Sequence, residues 1–266
     1  MGDQPLINMP KSEDLIVPNA ADAGSVDEHH REMGTVLVRA IEEGKHDVPA
    51  APAPLVCKPR KLESWRVFKI MSEFVEGFDL LRNYGLAVTL FGSVRTKPGD
   101  PYYEAAVSLA GRLAKQGYAV ITGGSAGIME AGNKGAGEAG GASVGLNIRL
   151  SDHQSLNTYL TESFVFDHFF VRKVMLAFAS EIYVYFPGGY GTLDEFTEIL
   201  TLVQTKKIQQ VPIVLYGKDY WDPIVDLFRN HLLGKFHTID EADLALFQVV
   251  DTVDEAYDYI IKTVKC

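Results

Sequence analysis

Between residues 86 and 263 the chain alternates short apolar runs with longer amphipathic ones. The runs 86-LAVTLF-91, 118-YAVIT-122, 143-SVGLN-147, 182-IYVYF-186, 211-VPIVLYG-217 and 247-FQVV-250 are short and rich in β-branched and aromatic residues, and they predict strands. Between them, 102–116, 126–139, 168–180, 192–206 and 219–233 read as helices, with a last one over 253–263. An apolar run without polar alternation suits a strand covered on both faces, and strand–helix alternation suits parallel pairing. The pattern predicts a doubly wound α/β domain, a mainly parallel, Rossmann-like sheet with helices on both faces. Ligands of such sheets bind beyond the carboxyl ends of the strands, where the strand order reverses.

Upstream, Trp65, Phe68, Met71, Phe74, Phe78 and Leu81 recur at helical spacing. They predict a helix over 61–83 whose apolar face enters the core or a subunit interface. Residues 1–60 differ. They hold one predicted helix, from about Ser25 to Glu43, and then 48-VPAAPAPLVCKP-59, a composition that favours an extended linker. The expected division is therefore an acidic N-terminal extension over 1–60, partly disordered or docked on a partner subunit, and a globular Rossmann-like domain over 61–266.

Charge and cysteine content narrow the function. The net charge of −10 argues against binding nucleic acid through bulk electrostatics, yet leaves room for one small anion in a local positive site. Residues 1–54 carry ten acids against four bases, so the later domain is only mildly acidic. No apolar run reaches the length of a membrane helix, and the first residues lack the pattern of a secretory signal. Only two cysteines occur, Cys57 and Cys266, which excludes a disulfide framework and favours a cytoplasmic location. Neither they nor the seven histidines show metal-ligand spacing, so no metal is expected.

Three glycine-rich turns follow predicted strands. The first, 90-LFGSVRT-96, offers Gly92 and Ser93, with Arg95 close by in sequence; the second, 121-ITGGSAGIMEAGNKGA-136, offers Gly123 and Gly124; the third, 187-PGGYGT-192, offers Gly188, Gly189, Gly191 and Thr192. Glycine lets an anion approach the backbone N–H groups at a helix start. A single such loop serves any tight turn, but three at equivalent positions favour a phosphate site. The P-loop and dinucleotide patterns are both absent, which leaves a crevice for a mononucleotide or a sugar phosphate.

Two charged pairs stand near these turns. Thr192 and Glu195 have capping-box spacing, so Glu195 is either a local helix cap or a carboxylate facing whatever the third turn binds. Arg172 and Lys173 interrupt the mostly apolar 168-HFFVRKVMLAFAS-180 and are either a solvated stripe or part of the anion site.

With those residues in view, the sequence resembles the LONELY GUY family of nucleotide phosphoribohydrolases, also labelled "possible lysine decarboxylases". The segment 187-PGGYGTLDE-195 matches its P-G-G-x-G-T-x-x-E motif, Arg172-Lys173 matches its Arg-Lys pair, and 122-TGGSAGIMEAGNKGA-136 and 91-FGSVRT-96 are similar to its glycine-rich loops. The similarity spans roughly residues 61 to 262 and several ordered motifs. Two departures are Ser125 in place of a third glycine and 169-FFVRK-173 in place of M-H-x-R-K.

The resemblance implies hydrolysis of the N-glycosidic bond of AMP or N6-prenyl-AMP, a step of cytokinin activation, to free base and ribose 5-phosphate. It assigns Arg172 and Glu195 as the catalytic pair and the glycine segments, with Lys173, to the substrate. It also implies no cofactor and a homo-oligomer, a dimer or larger. The decarboxylase label lacks the site that pyridoxal phosphate needs. Two alternatives stay open at this point: a general purine nucleotide 5′-monophosphate nucleosidase, and a non-catalytic nucleotide-binding sensor.

Overall fold

Strands that must be apolar on both sides need helices on both sides, and the chain supplies them. The computed structural model describes residues 65–149 and 156–264. Among these are seven strands: β1 (Ala87–Phe91), β2 (Ala119–Thr122), β3 (Ser143–Ile148), β4 (Glu162–Phe166), β5 (Ile182–Tyr185), β6 (Ile213–Tyr216) and β7 (Gln248–Val250). They form one sheet in the order β4-β3-β2-β1-β5-β6-β7, and every neighbouring pair is parallel. Each residue of β1, β2, β3, β5 and β6 is buried.

The helices are α1 (Trp65–Leu81), α2 (Pro101–Lys115), α3 (Ile128–Glu138), α4 (Phe169–Ala177), α5 (Tyr190–Gln204), α6 (Lys218–Leu227) and α7 (Val253–Thr263). One core layer joins the sheet to α1, α4, α5 and α6 through residues such as Leu81, Met175, Phe196 and Trp221. The other joins it to α2, α3 and α7 through Leu109, Ile128 and Ile260. The predicted doubly wound α/β fold is therefore the observed one. Local signals set several starts: Asp100 accepts from the Tyr102 N–H ahead of α2 with Pro101 at its first position, and Thr252 and Glu255 form a capping box at α7. Among the described residues no helix is long and apolar enough to cross a membrane.

Two expectations change, and a third is narrowed. The strand β4 was not predicted; it lies at the sheet edge, where Glu162 and Ser163 are exposed, so its sequence carries no continuous apolar run. The predicted helix over 219–233 is α6 followed by a π-helical stretch, Phe228–Leu233. The apolar face of α1, expected in the core or at a subunit interface, meets this chain's core only in part: Leu81 is buried and Phe74 partly so, while Trp65 is 77% exposed and Phe68 61%, and the helix also buries Glu73, Gly77 and Leu80. The expectations for the extension over 1–60 lie outside the described residues.

Helices α2 and α3 approach one another through glycine. A Cβ added at Gly135 would meet the Val107 carbonyl oxygen at 2.1 Å, and one at Gly111 would meet that of Gly135 at 3.1 Å. Backbone on both sides leaves no flexible group to yield. Gly135→Ala is therefore expected to cost about 1–3 kcal/mol in urea unfolding. Gly85→Ala, where nothing lies within 4 Å, shifts stability by less than about 0.5 kcal/mol.

Candidate active site

The strand order reverses between β1 and β5, which opens a crevice at the carboxyl edge of the sheet. All three glycine turns reach that edge, after β1, β2 and β5. They are bonded together. The Ser93 N–H donates to the Pro187 carbonyl at 3.0 Å, and the Ile128 N–H donates to the Ser93 carbonyl at 3.0 Å. Ser93 thus joins the third turn to the start of α3, while its hydroxyl oxygen accepts from the Arg95 N–H at 3.0 Å. Gly92 allows this because any Cβ there would fall 2.7 Å from Ile128. Gly127 has φ +71, and its Cβ would sit 2.2 Å from the Ser93 oxygen, so only glycine fits.

The second turn is held from beneath by polar side chains. Thr122 Oγ1 donates to Asn133 Oδ1 at 2.6 Å and accepts from the Gly124 N–H at 2.9 Å. Asn157 Nδ2 donates to the same Asn133 oxygen and to the Ser125 carbonyl, and the Asn157 N–H donates to the Gly124 carbonyl at 2.9 Å. Gly123 is buried beside Arg172, whose Nη2 lies 2.6 Å from where a Cβ would stand. Sequence reading missed Asn133 and Asn157; Asn133 lies in the helix that follows the turn, but nothing in the sequence ties Asn157, beyond β3, to the same turn.

The third turn is built differently. Helix α5 begins at Tyr190 with Gly189 as its N-cap, and no side chain caps it. Thr192 and Glu195 are thus its third and sixth residues, so the capping-box alternative for Glu195 fails. Gly188 packs against Thr192, with Oγ1 2.0 Å from a hypothetical Cβ, whereas Gly189 and Gly191 face open space. Uncapped first-turn N–H groups facing open space can receive an anion.

Glu195 stands in the second turn of this helix and is only 6% exposed. Its backbone carbonyl accepts from the Tyr185 hydroxyl at 3.1 Å. Burial raises its carboxyl from 4.5 to about 7, with Lys173 and then Arg172 pulling the other way. Arg172, the fourth residue of α4, donates from Nε to the Leu146 carbonyl at 2.9 Å, and its guanidinium lies 5.9 Å from the Phe169 ring centroid. Burial lowers its pKa, and the charge of Glu195 opposes that. Among the described residues Arg172 has no direct ion-pair partner.

Lys173 is placed differently from Arg172. Its Nζ pairs with Asp194 and lies 3.3 Å from Glu198 Oε2, without the alignment of a hydrogen bond to that oxygen. Burial works against its charge, but the Asp194 hydrogen bond and the charges of Glu195, Glu198 and Asp194 outweigh it and raise its pKa. Burial raises Glu198 as well, against the pull of Lys173. The structure thus gathers Arg172, Lys173, Glu195 and the turns at Gly92–Ser93, Gly123–Gly124 and Gly188–Thr192 at one edge. It adds Asp194 and Glu198, which were not singled out from the sequence although they flank Glu195 in the same helix.

Among the described residues no group of three His, Cys, Asp or Glu side chains is placed to hold a metal ion. A cavity of about 580 Å³ lies at the far end of α5, lined by Gln204, Lys206, Lys207 and Asp243 among others. None of the glycine turns borders it, and the amino edge of a parallel sheet is not where such folds bind substrate.

The raised carboxyl has a consequence for stability. Below pH 4.5 Glu195 is protonated whether folded or not, so it contributes no penalty. As pH rises to 7 only the unfolded chain loses the proton freely, and above 7 the penalty is complete. Glu195→Gln is therefore expected to stabilise the protein at pH 8 by up to about 3 kcal/mol and to change nothing at pH 4. Urea unfolding at the two pH values checks this; equal differences would overturn it.

Known proteins agree with this architecture. The family model described as "Possible lysine decarboxylase" matches residues 129–260. An uncharacterized protein of Archaeoglobus fulgidus is 30% identical over 43% of this chain and 75% of its own length. The cytokinin riboside 5′-monophosphate phosphoribohydrolase LOG5 of Arabidopsis thaliana is 31% identical over 50% of this chain, and the match spans 55% of LOG5. Among solved structures, the molybdenum cofactor carrier protein of Chlamydomonas reinhardtii superposes with a TM-score of 0.52 at 23% identity, covering 66% of this chain and 96% of that one, a likeness of fold. The chain belongs to the LONELY GUY family, whose model carries the "possible lysine decarboxylase" description.

Proposed function

We propose that the protein hydrolyses the N-glycosidic bond of a purine nucleoside 5′-monophosphate, AMP or N6-prenyl-AMP, to free base and ribose 5-phosphate. The observation that carries this reading is the buried Glu195 with a pKa of about 7, set one turn above an uncapped helix start that faces open space. The name of the Arabidopsis relative supports the same reaction.

In this reading the 5′-phosphate sits on the N–H groups at the start of α5, with the β1 turn beside it. Cleavage of C1′–N9 leaves its electron pair on the base and builds positive charge on the ribose. The ionised Glu195 stabilises that charge and takes a proton from the water that bonds to C1′. Arg172, across the crevice by Leu146, holds the departing base and offsets the negative charge left on N9 until it is protonated. Binding of the remote phosphate positions C1′ for attack. The exposed side chains of α1, with Phe178 against Phe78 at 6.2 Å, form an apolar patch of the kind that mediates self-association.

Base release from AMP and N6-isopentenyl-AMP tests the proposal. Glu195→Ala is expected to lower kcat by about 10²–10⁴-fold. The wild-type kcat/KM rises with pH and reaches half its plateau near pH 7, the value burial gives Glu195. The ratio between the two substrates decides between cytokinin activation and general purine turnover. Binding of AMP without release by the wild type would overturn the enzyme and favour a nucleotide sensor. Sedimentation should show a dimer or larger, and a monomer would remove the role given to the α1 patch.

A further inference from the structure

We infer that Glu73, on a helix outside the stretch matched by the family model, is a positioning residue for Arg172. The inference rests on the function proposed for Arg172. Helix α4 is nine residues long, and His168, its N-cap, offers no side-chain cap. A helix this short depends on tertiary contacts for its placement.

Beside its contacts with β3, β4 and α5, α4 is held by α1 on either side of Arg172. At the start of α4, Glu73 Oε1 accepts from the Asp167 N–H at 3.2 Å and faces His168 Nδ1 at 2.9 Å. Its Oε2 accepts from the His168 N–H at 3.2 Å. The His168 carbonyl in turn accepts from the Arg172 N–H at 3.2 Å, so a chain of bonds runs from α1 to the backbone of the arginine. Three residues beyond Arg172, Met175 lies against Gly77; a Cβ there would meet its Sδ at 2.7 Å.

Glu73 is 9% exposed, between the exposed Ser72 and the exposed Val75 and Glu76. A carboxylate buried in an otherwise solvent-facing stretch needs a reason, and the positive end of α4 supplies one. The guanidinium of Arg172 must reach the Leu146 carbonyl and the face of Gly123 together, which tolerates little movement of α4. Helix α1 therefore belongs to the active-site machinery although it touches no candidate substrate group.

Glu73→Ala and Glu73→Gln separate this from a merely structural role. In Glu73→Ala, kcat for base release from AMP is expected to fall about 10- to 100-fold. Affinity for ribose 5-phosphate, which is held at the opposite end of the crevice, is retained. Glu73→Gln recovers part of kcat, because its oxygen in the Oε2 place can accept from the His168 N–H and its amide can meet His168 Nδ1, with only the bond from the Asp167 N–H lost. Amide hydrogen exchange adds a readout independent of turnover: residues 170–173 exchange faster in Glu73→Ala, while those of α5 do not. Unchanged kcat and exchange would overturn the inference, as would exchange that quickens everywhere with both substrate affinity and kcat lost. A wild type that releases no base would fail the proposed function instead, and exchange in α4 would still decide whether Glu73 holds the helix.

Discussion

The Glu195 carboxylate is pulled in two directions, up by burial and down by Lys173 and Arg172, and the arrangement of the carboxyl edge follows from that contest. Burial wins, so the group titrates near neutrality. Without the two cations burial would hold its pKa higher still. With a direct ion pair it would be locked in the ionised form and screened from any developing charge. Lys173 is kept at a set distance by Asp194 and Glu198 on α5 itself, and Arg172 is kept off by its bond to the Leu146 carbonyl. Both cations therefore act on Glu195 through space, and α4 must lie against α5 for either to do so.

Much of this was legible in the sequence because burial on both sides writes itself as an uninterrupted apolar run. The strands at 87–91 and 182–185 could be read for that reason, and the glycine turns could be placed after them. The strand at 162–166 could not, since an edge strand with one exposed side looks like loop. The apolar face of α1 shows the limit of the same rule: six large apolar residues at helical spacing fit a core or a subunit interface, and within this chain the helix turns a glutamate and a glycine inward as well. The pattern reports which residues avoid water and is silent on whether the protein's own core or another surface covers them.

The glycines show a different limit. In sequence they form three similar clusters, but they answer to different constraints. Gly127 is required by its positive φ, Gly188 by the Thr192 side chain, and Gly189 and Gly191 by nothing within the described residues. Only the surroundings of each position separate a glycine that lets the chain pack from one that leaves room for something else. Glu195 met the same limit, because T-x-x-E spacing fits a cap equally well, and the helix start two residues earlier decided against it.

The pairing of Val88 with Ile182 has a consequence for how the protein matures. Every other neighbouring strand pair joins segments close in sequence, whereas β1 and β5 close a loop that contains β2, β3 and β4. Loop-closure entropy opposes that step until the pairing is made. The crevice lies across this seam, with Ser93 on one side and Pro187 on the other. A half-folded chain whose two halves have not paired thus has no crevice, and the glycine turns come together only when the two halves of the sheet join.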